Sequence, residues 1–339
     1  MPFIRESWYP ATWSSLLGAE PMARTFLGEE VVLYRTEGQV AVALANSCPH
    51  RFAALANGKL HGDSIACPYH GLRFGPDGRC SHNPHGPVTG AIRVRAYPLV
   101  ERYGMLWIWM GDPANADPAT ITALSAREDA RFDWVTGYLH VEGNYQLVID
   151  NLLDLTHVEF LHPFLVDPTD TFPTKVICFE EGDEVVSRYT RPQCNRTQLV
   201  IALWDDVPPV MSLMAEMRWS APSNLIQRNG FDVAHHADMD DTYVQVPFCH
   251  LLTPETERTT HYFWAGGRNL KQGDEQVSQA FTFGVEGAFK NEDEPMIADI
   301  QKRMGLRDLL EMKPLLLPID KSAVLARRRV ADVLKREQV

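Results

Sequence analysis

The sequence predicts an α+β protein: an N-terminal all-β domain, residues 1–115, precedes a larger domain, residues 116–339, in which helices flank an antiparallel sheet. Three observations predict this fold class. Short apolar runs broken by turn residues fill the first third of the chain, as in small antiparallel sheets. Helical periodicity near residue 150 and at the end of the chain brackets further strand-like runs. With 339 residues, the chain is long enough for two separate cores.

The first domain is predicted from four apolar runs that have the length of strands: EVVLYR, QVAVALAN, AIRVRAYPLV and MLWIWMGDP. The segment GPDGRC has the Pro, Asp and Gly residues of a turn between strands. A stretch rich in Pro, Ala and Asp, GDPANADPATI, follows these runs and has the composition of a linker. The domain boundary is therefore expected near residue 115.

A helix is predicted over residues 143–161. Its apolar residues recur near the 3.6-residue period of a helix: Leu147, Leu152, Leu155 and Val158. Pro163 must end or distort this helix, because the residue before a proline disfavours helical geometry. Strand-like runs return over residues 175–264, and three helical patterns close the chain: QVSQAFTFGVEGAF, MIADIQKRM and AVLARRRVADVLKR.

Composition excludes some classes of function. The formal net charge of −12 argues against a nucleic-acid partner, because phosphate binding favours a basic surface. No apolar run approaches the roughly 18 residues of a membrane span. The first residues show no apolar signal segment, and four of the six cysteines lack the spacing of a disulfide framework. We therefore expect a cytoplasmic protein with reduced thiols.

The stretch CPHRFAALANGKLHGDSIACPYHG contains two Cys-His pairs, Cys48 with His50 and Cys67 with His70, separated by sixteen residues. Thiolates and imidazoles at these spacings bind either a tetrahedral Zn²⁺ or a [2Fe–2S] cluster. In the usual zinc pattern Cys pairs with Cys and His with His, whereas here each loop supplies one of each. That mixed arrangement is the one a Rieske cluster needs, and Gly71 is expected to let the chain turn close to it.

A second group of polar residues lies in NYQLVIDNLLDLTHVEFLHP. Asn151, Asp154 and His157 are each three residues apart, so one helix face is expected to carry all three, and the Asp154 carboxylate to reach the outer N–H of His157. His162 falls off that face unless the helix end bends. Two histidines and a carboxylate form the facial triad of non-haem Fe(II) oxygenases. The alternative is a helix end with two surface histidines that bind no metal.

The remaining carboxylate is expected from FKNEDEPMIADIQKRM. On a helical wheel, Asp293 shares the apolar face with Phe289, Ile297, Ile300 and Met304, whereas Glu292 and Glu294 point elsewhere. A buried carboxylate needs a partner, which a metal or a salt bridge in the core would supply. Pro295 is expected to kink or restart the helix near Asp293.

Taken together, these motifs resemble the oxygenase components of Rieske non-haem iron oxygenases. The similarity runs from WYP near the start, through both Cys-His pairs and the N-x-x-D-x-x-H-x-x-x-x-H segment, to the late NED. Within this family the chain is most similar to the vanillate O-demethylase and dicamba monooxygenase group, which WIWMGDP, HNPHG and HLLTPETE also resemble.

The resemblance implies a role for each matching residue. It implies a Rieske [2Fe–2S] cluster whose iron ligands are Cys48, Cys67, His50 and His70. It also implies a mononuclear Fe(II) held by His157, His162 and Asp293. Asp154 matches the acid that links a cluster histidine of one subunit to an iron histidine of its neighbour, and Asn151 matches a polar residue near the iron. A homotrimer follows from that link.

The resemblance further implies a terminal oxygenase that oxidises a small aromatic substrate with O₂ and with electrons from a reductase or ferredoxin. The expected reaction is O-demethylation of a methoxylated aromatic acid or phenol, and the alternative is ring or methyl-group hydroxylation. His250 and Asn224 are the candidate substrate-binding residues. The three consecutive arginines from Arg327 form either a solvated helix face or a docking surface for the electron donor. A Rieske electron carrier and a zinc-stabilised binding protein are the other classes.

Overall fold

The computed structural model describes residues 3–162, 164–167 and 169–337. Pro163, which we expected to end a helix, lies outside the described residues. The described chain divides into two compact units, one of residues 3–121 and 253–256 and the other of residues 122–252 and 257–337. No described helix combines the length and the apolar character that a bilayer crossing needs.

The first unit is built from small sheets, as the apolar runs predict. Its strands are β1 (Trp8–Trp13), β2 (Met22–Phe26), β3 (Glu29–Arg35), β4 (Ala41–Ala45), β5 (Lys59–His61), β6 (Ser64–Ala66), β7 (Arg73–Phe74), β8 (Cys80–His82), β9 (Ala96–Tyr97), β10 (Leu99–Arg102) and β11 (Met105–Trp109). They form three sheets with the orders β1-β11-β10, β2-β3-β4-β9 and β5-β6-β7-β8. The pairing is antiparallel throughout.

Strand β3 shows how this unit is packed. Successive side chains of a strand point to opposite faces of the sheet. Val31 and Leu33 lie in one apolar cluster, and Val32 and Tyr34 lie in another. The second cluster also contains Cys48 and Cys67. The sheet of β3 therefore has a core on each face, which explains the unbroken apolar run VVLY.

The second unit contains one large sheet and the helices. Its strands are β12 (Asp133–Val141), β13 (Lys175–Glu181), β14 (Glu184–Asn195), β15 (Val210–Ser220), β16 (Asn224–Asp232), β17 (Val244–Gln245), β18 (Phe248–Pro254) and β19 (Thr260–Arg268). They form an eight-stranded sheet with the order β12-β19-β18-β16-β15-β14-β13, and β17 pairs with β16. The helices are α1 (Tyr145–Leu153), α2 (Val158–Leu161), α3 (Gln198–Leu203), α4 (Glu275–Ala288), α5 (Glu294–Met304) and α6 (Lys321–Glu337).

The single helix expected over residues 143–161 is wrong. The chain leaves helical geometry at Asp154, with φ −88° and ψ 90°, and α2 begins at Val158. Asp154 Oδ1 accepts hydrogen bonds from the backbone N–H and the hydroxyl group of Thr156, at 2.9 and 2.6 Å. A short acidic side chain that binds the backbone two residues later competes with the helix, and here it ends α1.

Helices α4 and α5 are joined by a π-helical turn, Phe289–Asp293. Pro295 lies in the first turn of α5, directly after the π-helical turn, and Asp293 and Glu294 before it keep helical φ and ψ, so the winding of the helix changes near Asp293 without a break. Phe289, Asp293 and Ile297 are buried, as the helical wheel predicts, together with Met304. Ile300 is exposed, which corrects one position of the predicted face.

Arg327 on α6 is buried, so the expectation of a solvated or docking surface is wrong for this residue. Its guanidinium group binds both carboxylate oxygens of Asp150 on α1, the nearest at 2.6 Å, and also contacts Gln146 and Asp308. A buried charge needs such a partner. Arg328, its neighbour, is exposed. The pair between Arg327 and Asp150 fixes α6 on the helix that carries Asn151.

Candidate metal centres

The two Cys-His loops have the same backbone hydrogen bonds. In the first, the N–H of Cys48 donates to the carbonyl of Ala53 and the N–H of Phe52 donates back to Cys48. In the second, Cys67 donates to Leu72 and Gly71 donates back to Cys67. The residue four positions after each cysteine has a positive φ, 59° at Phe52 and 74° at Gly71. Each loop therefore folds back over its own cysteine and presents Cys and His together.

The four side chains of these loops converge. Cys48 and Cys67 are buried and close enough to share a hydrogen bond, and the rings of His50 and His70 lie 4.5 Å apart between centroids. Burial raises the pKa of Cys48 to about 11, so the thiol keeps its proton unless a metal displaces it. Nδ1 of His70 is buried and has no hydrogen-bond partner among the described residues. Two paired thiols and an unpartnered imidazole nitrogen fit a [2Fe–2S] cluster.

His157, His162 and Asp293 form a second group. One ligand atom from each lies within 4.8 Å of the others. The Nε2 atoms of the two histidines are 3.2 Å apart, and they lie 3.4 and 3.3 Å from the carboxylate oxygens of Asp293. Within the described ranges this is the one group of three or more His, Cys, Asp or Glu side chains with such geometry. Two imidazoles and one carboxylate at these distances fit a divalent iron.

The outer nitrogens of both imidazoles are held by the protein. Nδ1 of His157 donates to the backbone carbonyl of Asp154, so the expected contact through the Asp154 carboxylate is wrong. That carboxylate caps the turn instead. Nδ1 of His162 donates to Oε2 of Glu292 at 2.6 Å, which corrects the expectation that Glu292 points elsewhere. With Nδ1 of each ring donating, Nε2 is left with the lone pair that a metal could take.

Asn151 completes this group. Its amide nitrogen donates to Oδ1 of Asp293 at 2.9 Å, and its own Oδ1 is buried without a partner among the described residues. Burial alone would raise the pKa of Asp293, but the side chains of His157 and His162 beside it outweigh burial and hold that pKa well below its usual range. The carboxylate is therefore ionised and ready to bind a cation.

Two sequence families match the chain. The Rieske [2Fe-2S] domain matches residues 7–98, and the vanillate O-demethylase oxygenase C-terminal domain matches residues 141–336, more than half of the chain. The chain belongs to the Rieske non-haem iron oxygenases, as an oxygenase component. The protein therefore uses a Rieske [2Fe–2S] cluster and a mononuclear non-haem iron. This confirms the predicted family, fold class and cofactors.

Several oxygenases are similar to this protein along its whole length. The oxygenase component of chloroacetanilide N-alkylformylase from Rhizorhabdus wittichii is 36% identical, covering 99% of this chain and 97% of that one. The oxygenase component of dicamba O-demethylase from Stenotrophomonas maltophilia is 34% identical, covering 97% of each. The crystal structure of dicamba monooxygenase bound to 3,6-dichlorosalicylic acid is similar with a TM-score of 0.93, 30% identity and full coverage of both chains.

The two candidate substrate residues of this oxygenase lie on opposite faces of its large sheet. His250 on β18 pairs with Leu225 of β16, and Leu251 pairs with Asn224. Because side chains alternate along a strand, Asn224 and His250 point to opposite faces. The Asn224 amide donates to the Thr122 hydroxyl at 2.9 Å. The structure therefore does not bring these two residues together.

His250 belongs to a chain of hydrogen bonds that the sequence did not reveal. Asn229 donates to the carbonyl of Val246 at 2.9 Å, Gln227 donates to Oδ1 of Asn229 at 3.0 Å, and Oε1 of Gln227 lies 2.9 Å from Nε2 of His250. The other nitrogen, Nδ1, is 2.6 Å from the Tyr262 hydroxyl. A carbonyl only accepts, so the direction of every bond in the chain is set: His250 donates to Gln227, and Tyr262 donates to His250.

This chain of hydrogen bonds reaches the group of His157, His162 and Asp293 through an aromatic contact. The ring of Tyr262 lies 4.6 Å from that of Phe289, the first residue of the π-helical turn that carries Asp293. Burial lowers the pKa of His250 to about 3, although the negative charge of Asp293 opposes the shift. His250 is therefore neutral, and both of its nitrogens are occupied by protein groups.

Proposed function

We propose that the protein is the terminal oxygenase of a monooxygenase system that O-demethylates a methoxylated aromatic acid or phenol. The observation that carries the proposal is the group of two histidines and one aspartate, whose ligand atoms lie within 4.8 Å of one another. Such a group leaves positions for O₂ and substrate. The similarity to the dicamba and vanillate O-demethylase oxygenase components supports demethylation as the reaction.

The chemistry divides between the metals and the chain. When bound, the cluster and the iron supply electrons one at a time and activate O₂. In the proposed reaction the methoxy carbon is hydroxylated, and the resulting hemiacetal breaks down to a phenol and formaldehyde. The protein holds the iron through His157, His162 and Asp293, while Asn151 orients the Asp293 carboxylate by its 2.9 Å hydrogen bond. The protein also contributes to the reaction by positioning the substrate C–H bond near the iron.

The proposed cluster ligands are Cys48, Cys67, His50 and His70. His50 is exposed on the surface of its unit, which suits electron entry from a partner protein. We propose a reductase or ferredoxin as that partner. None of the six cysteines forms a disulfide, which supports a cytoplasmic location.

We further propose a homotrimer in which Asp154 links the cluster of one subunit to the iron of the next. Asp154 adjoins the iron group, since its carbonyl accepts the Nδ1 proton of His157. Oδ1 of its carboxylate accepts both hydrogen bonds from Thr156. In the proposed trimer, Oδ2 and the negative charge contact the neighbouring subunit. For the substrate pocket we retain His250, as part of a polar wall with Gln227 and Tyr262, and drop Asn224.

A substrate panel with a surrogate reductase tests this function. The panel pairs methoxybenzoates and methoxyphenols with the matching methyl- and N-alkyl-substituted compounds, and the readouts are formaldehyde release and product mass. We expect formaldehyde and the free phenol in equal amounts from a methoxylated member. Hydroxymethyl or ring-hydroxylated products, with no formaldehyde from any methoxy compound, would replace demethylation by hydroxylation.

A further inference from the structure

We propose that Glu292 is a positioning residue for the iron, one that fixes the orientation of His162 and strengthens it as a ligand. Oε2 of Glu292 lies 2.6 Å from Nδ1 of His162, and His162 is almost completely buried. The inference rests on the proposed assignment of His162 and Asp293 as iron ligands.

The chemistry of the pair fixes the state of the imidazole ring. An ionised carboxylate only accepts hydrogen bonds, so Nδ1 of His162 must carry the proton that Glu292 receives. In the neutral ring Nε2 then carries the lone pair, and Nε2 is the atom that faces Asp293 and His157, at 3.3 and 3.2 Å. Glu292 thereby selects the tautomer that can bind metal, and it holds the ring at the required angle.

The two histidines differ in the kind of partner they have. The outer nitrogen of His157 donates to a backbone carbonyl, which has no net charge and is part of the turn at Asp154. The outer nitrogen of His162 donates to a carboxylate. A charged acceptor draws the N–H proton more strongly and makes the opposite nitrogen a better electron donor to a metal. His162 is therefore the stronger of the two imidazole ligands.

The π-helical turn explains how two consecutive acids reach one ring. Consecutive side chains of a regular helix point about 100° apart, which is why the sequence predicted that Glu292 would face away. In the wider turn at Phe289–Asp293, the ring of His162 lies between the two carboxylates. Asp293 meets Nε2 and Glu292 meets Nδ1. Single π-helical turns are frequent at functional sites.

Metal affinity tests the role directly. The full-length protein with its cluster intact is freed of mononuclear iron with a chelator, and Co²⁺ is titrated in while its visible absorption is followed. We expect Glu292→Ala to weaken Co²⁺ binding by roughly 10–100-fold and Glu292→Gln, which keeps an acceptor oxygen without the charge, to weaken it less. Glu294→Gln is the matched control, since it removes the same charge two positions along the chain and should bind Co²⁺ like the wild type.

The results of these titrations separate the possibilities. Wild-type Co²⁺ affinity and an unchanged Co²⁺ spectrum in both Glu292 variants would overturn the inference. If Glu292→Ala does not fold, Glu292→Gln decides, because it preserves the shape of the side chain. Asp293→Asn is titrated in parallel: wild-type affinity in that variant would remove the proposed iron site itself, whereas lost affinity there with full affinity in the Glu292 variants would remove the role of Glu292 alone.

Discussion

The Tyr262 hydroxyl donates a hydrogen bond to Nδ1 of His250 across 2.6 Å, and His250 in turn donates to Gln227. A substrate that bonds to the His250 ring must first displace one of these partners. Gln227 and Asn229, which continue this chain of hydrogen bonds, are half-buried and therefore more accessible to a substrate than His250 and Tyr262, which are buried. Both ring nitrogens of His250 are thus held by protein groups, and the neutral state of the ring has consequences for stability.

Acid should destabilise the folded protein through His250. Its folded pKa of about 3 lies below the ordinary value of 6.5, so between these values the unfolded state binds more protons than the native state. The neutral His250 ring makes its full contribution to the free energy of unfolding above pH 6.5. That contribution decreases as the pH is lowered from 6.5 towards 3, by up to about 1.4 kcal/mol per pH unit. Urea unfolding at pH 7 and pH 5 should show a shallower pH dependence in His250→Gln. The exposed His235→Gln is the control, and equal slopes for His250→Gln and wild type would refute the buried neutral state.

Removal of Arg327 should be far more destabilising than removal of its neighbour. Arg327→Ala leaves the Asp150 carboxylate without its bidentate partner, and breaking a buried pair in this way costs about 3–5 kcal/mol. Arg328→Ala removes an exposed guanidinium group and should change the free energy of unfolding by less than about 0.5 kcal/mol. Urea unfolding of both variants provides the measurement. Similar losses would show that Arg327 is not a structural residue.

Much of the fold was predictable because short apolar runs bounded by turn residues report burial directly. The apolar runs of the first unit became β3, β4 and β11, and the hydrogen bonds within each Cys-His loop bring its Cys and His together. Departures from regular helices were not predictable by periodicity. The break at Asp154 comes from a local hydrogen bond with Thr156, and the spacing Asp-x-Thr was the signal that the helical pattern concealed.

The site was predictable in its ligand types but not in their surroundings. A helical wheel assumes the same angle of about 100° between all consecutive residues. The π-helical turn changes that angle, so the wheel placed Glu292 on the wrong side of the helix. Asn224 was assigned without the strand register, and that register determines the face on which its amide lies. The sequence alone does not distinguish the three consecutive arginines that begin at Arg327. Only the position of Asp150 on α1 shows that Arg327 is the buried one.

Loss of the Asp293 carboxylate should remove the mononuclear iron and leave the cluster intact. Asp293→Asn keeps the size of the side chain but loses the charge that balances the divalent ion. We expect about two irons per chain instead of about three, with the visible spectrum of the cluster unchanged. Asp299→Asn, an exposed acid on α5, is the control and should keep all of its iron. Full iron content in the Asp293 variant would mean that another residue is the third ligand.

Asp154 has two roles that a single substitution can separate. One is structural: its Oδ1 accepts hydrogen bonds from Thr156 and its carbonyl accepts one from His157. The other is proposed, namely the passage of an electron from the cluster of one subunit to the iron of the next. Asparagine keeps Oδ1 and the carbonyl but loses the charge and the second acceptor. Asp154→Asn should therefore keep the turn and both metal centres.

Electron transfer in that variant should nevertheless slow by roughly 10–100-fold or more, because the carboxylate is the part that asparagine removes. The measurement is single-turnover oxidation of the pre-reduced cluster in the presence of substrate and O₂. Asp167→Asn is a matched control, since Oδ1 of Asp167 caps Thr169 with the same two hydrogen bonds, at 2.8 and 2.7 Å. If the Asp154 variant, with full iron content, reoxidises as fast as this control, electrons do not pass through Asp154, and the proposed link between subunits must be abandoned.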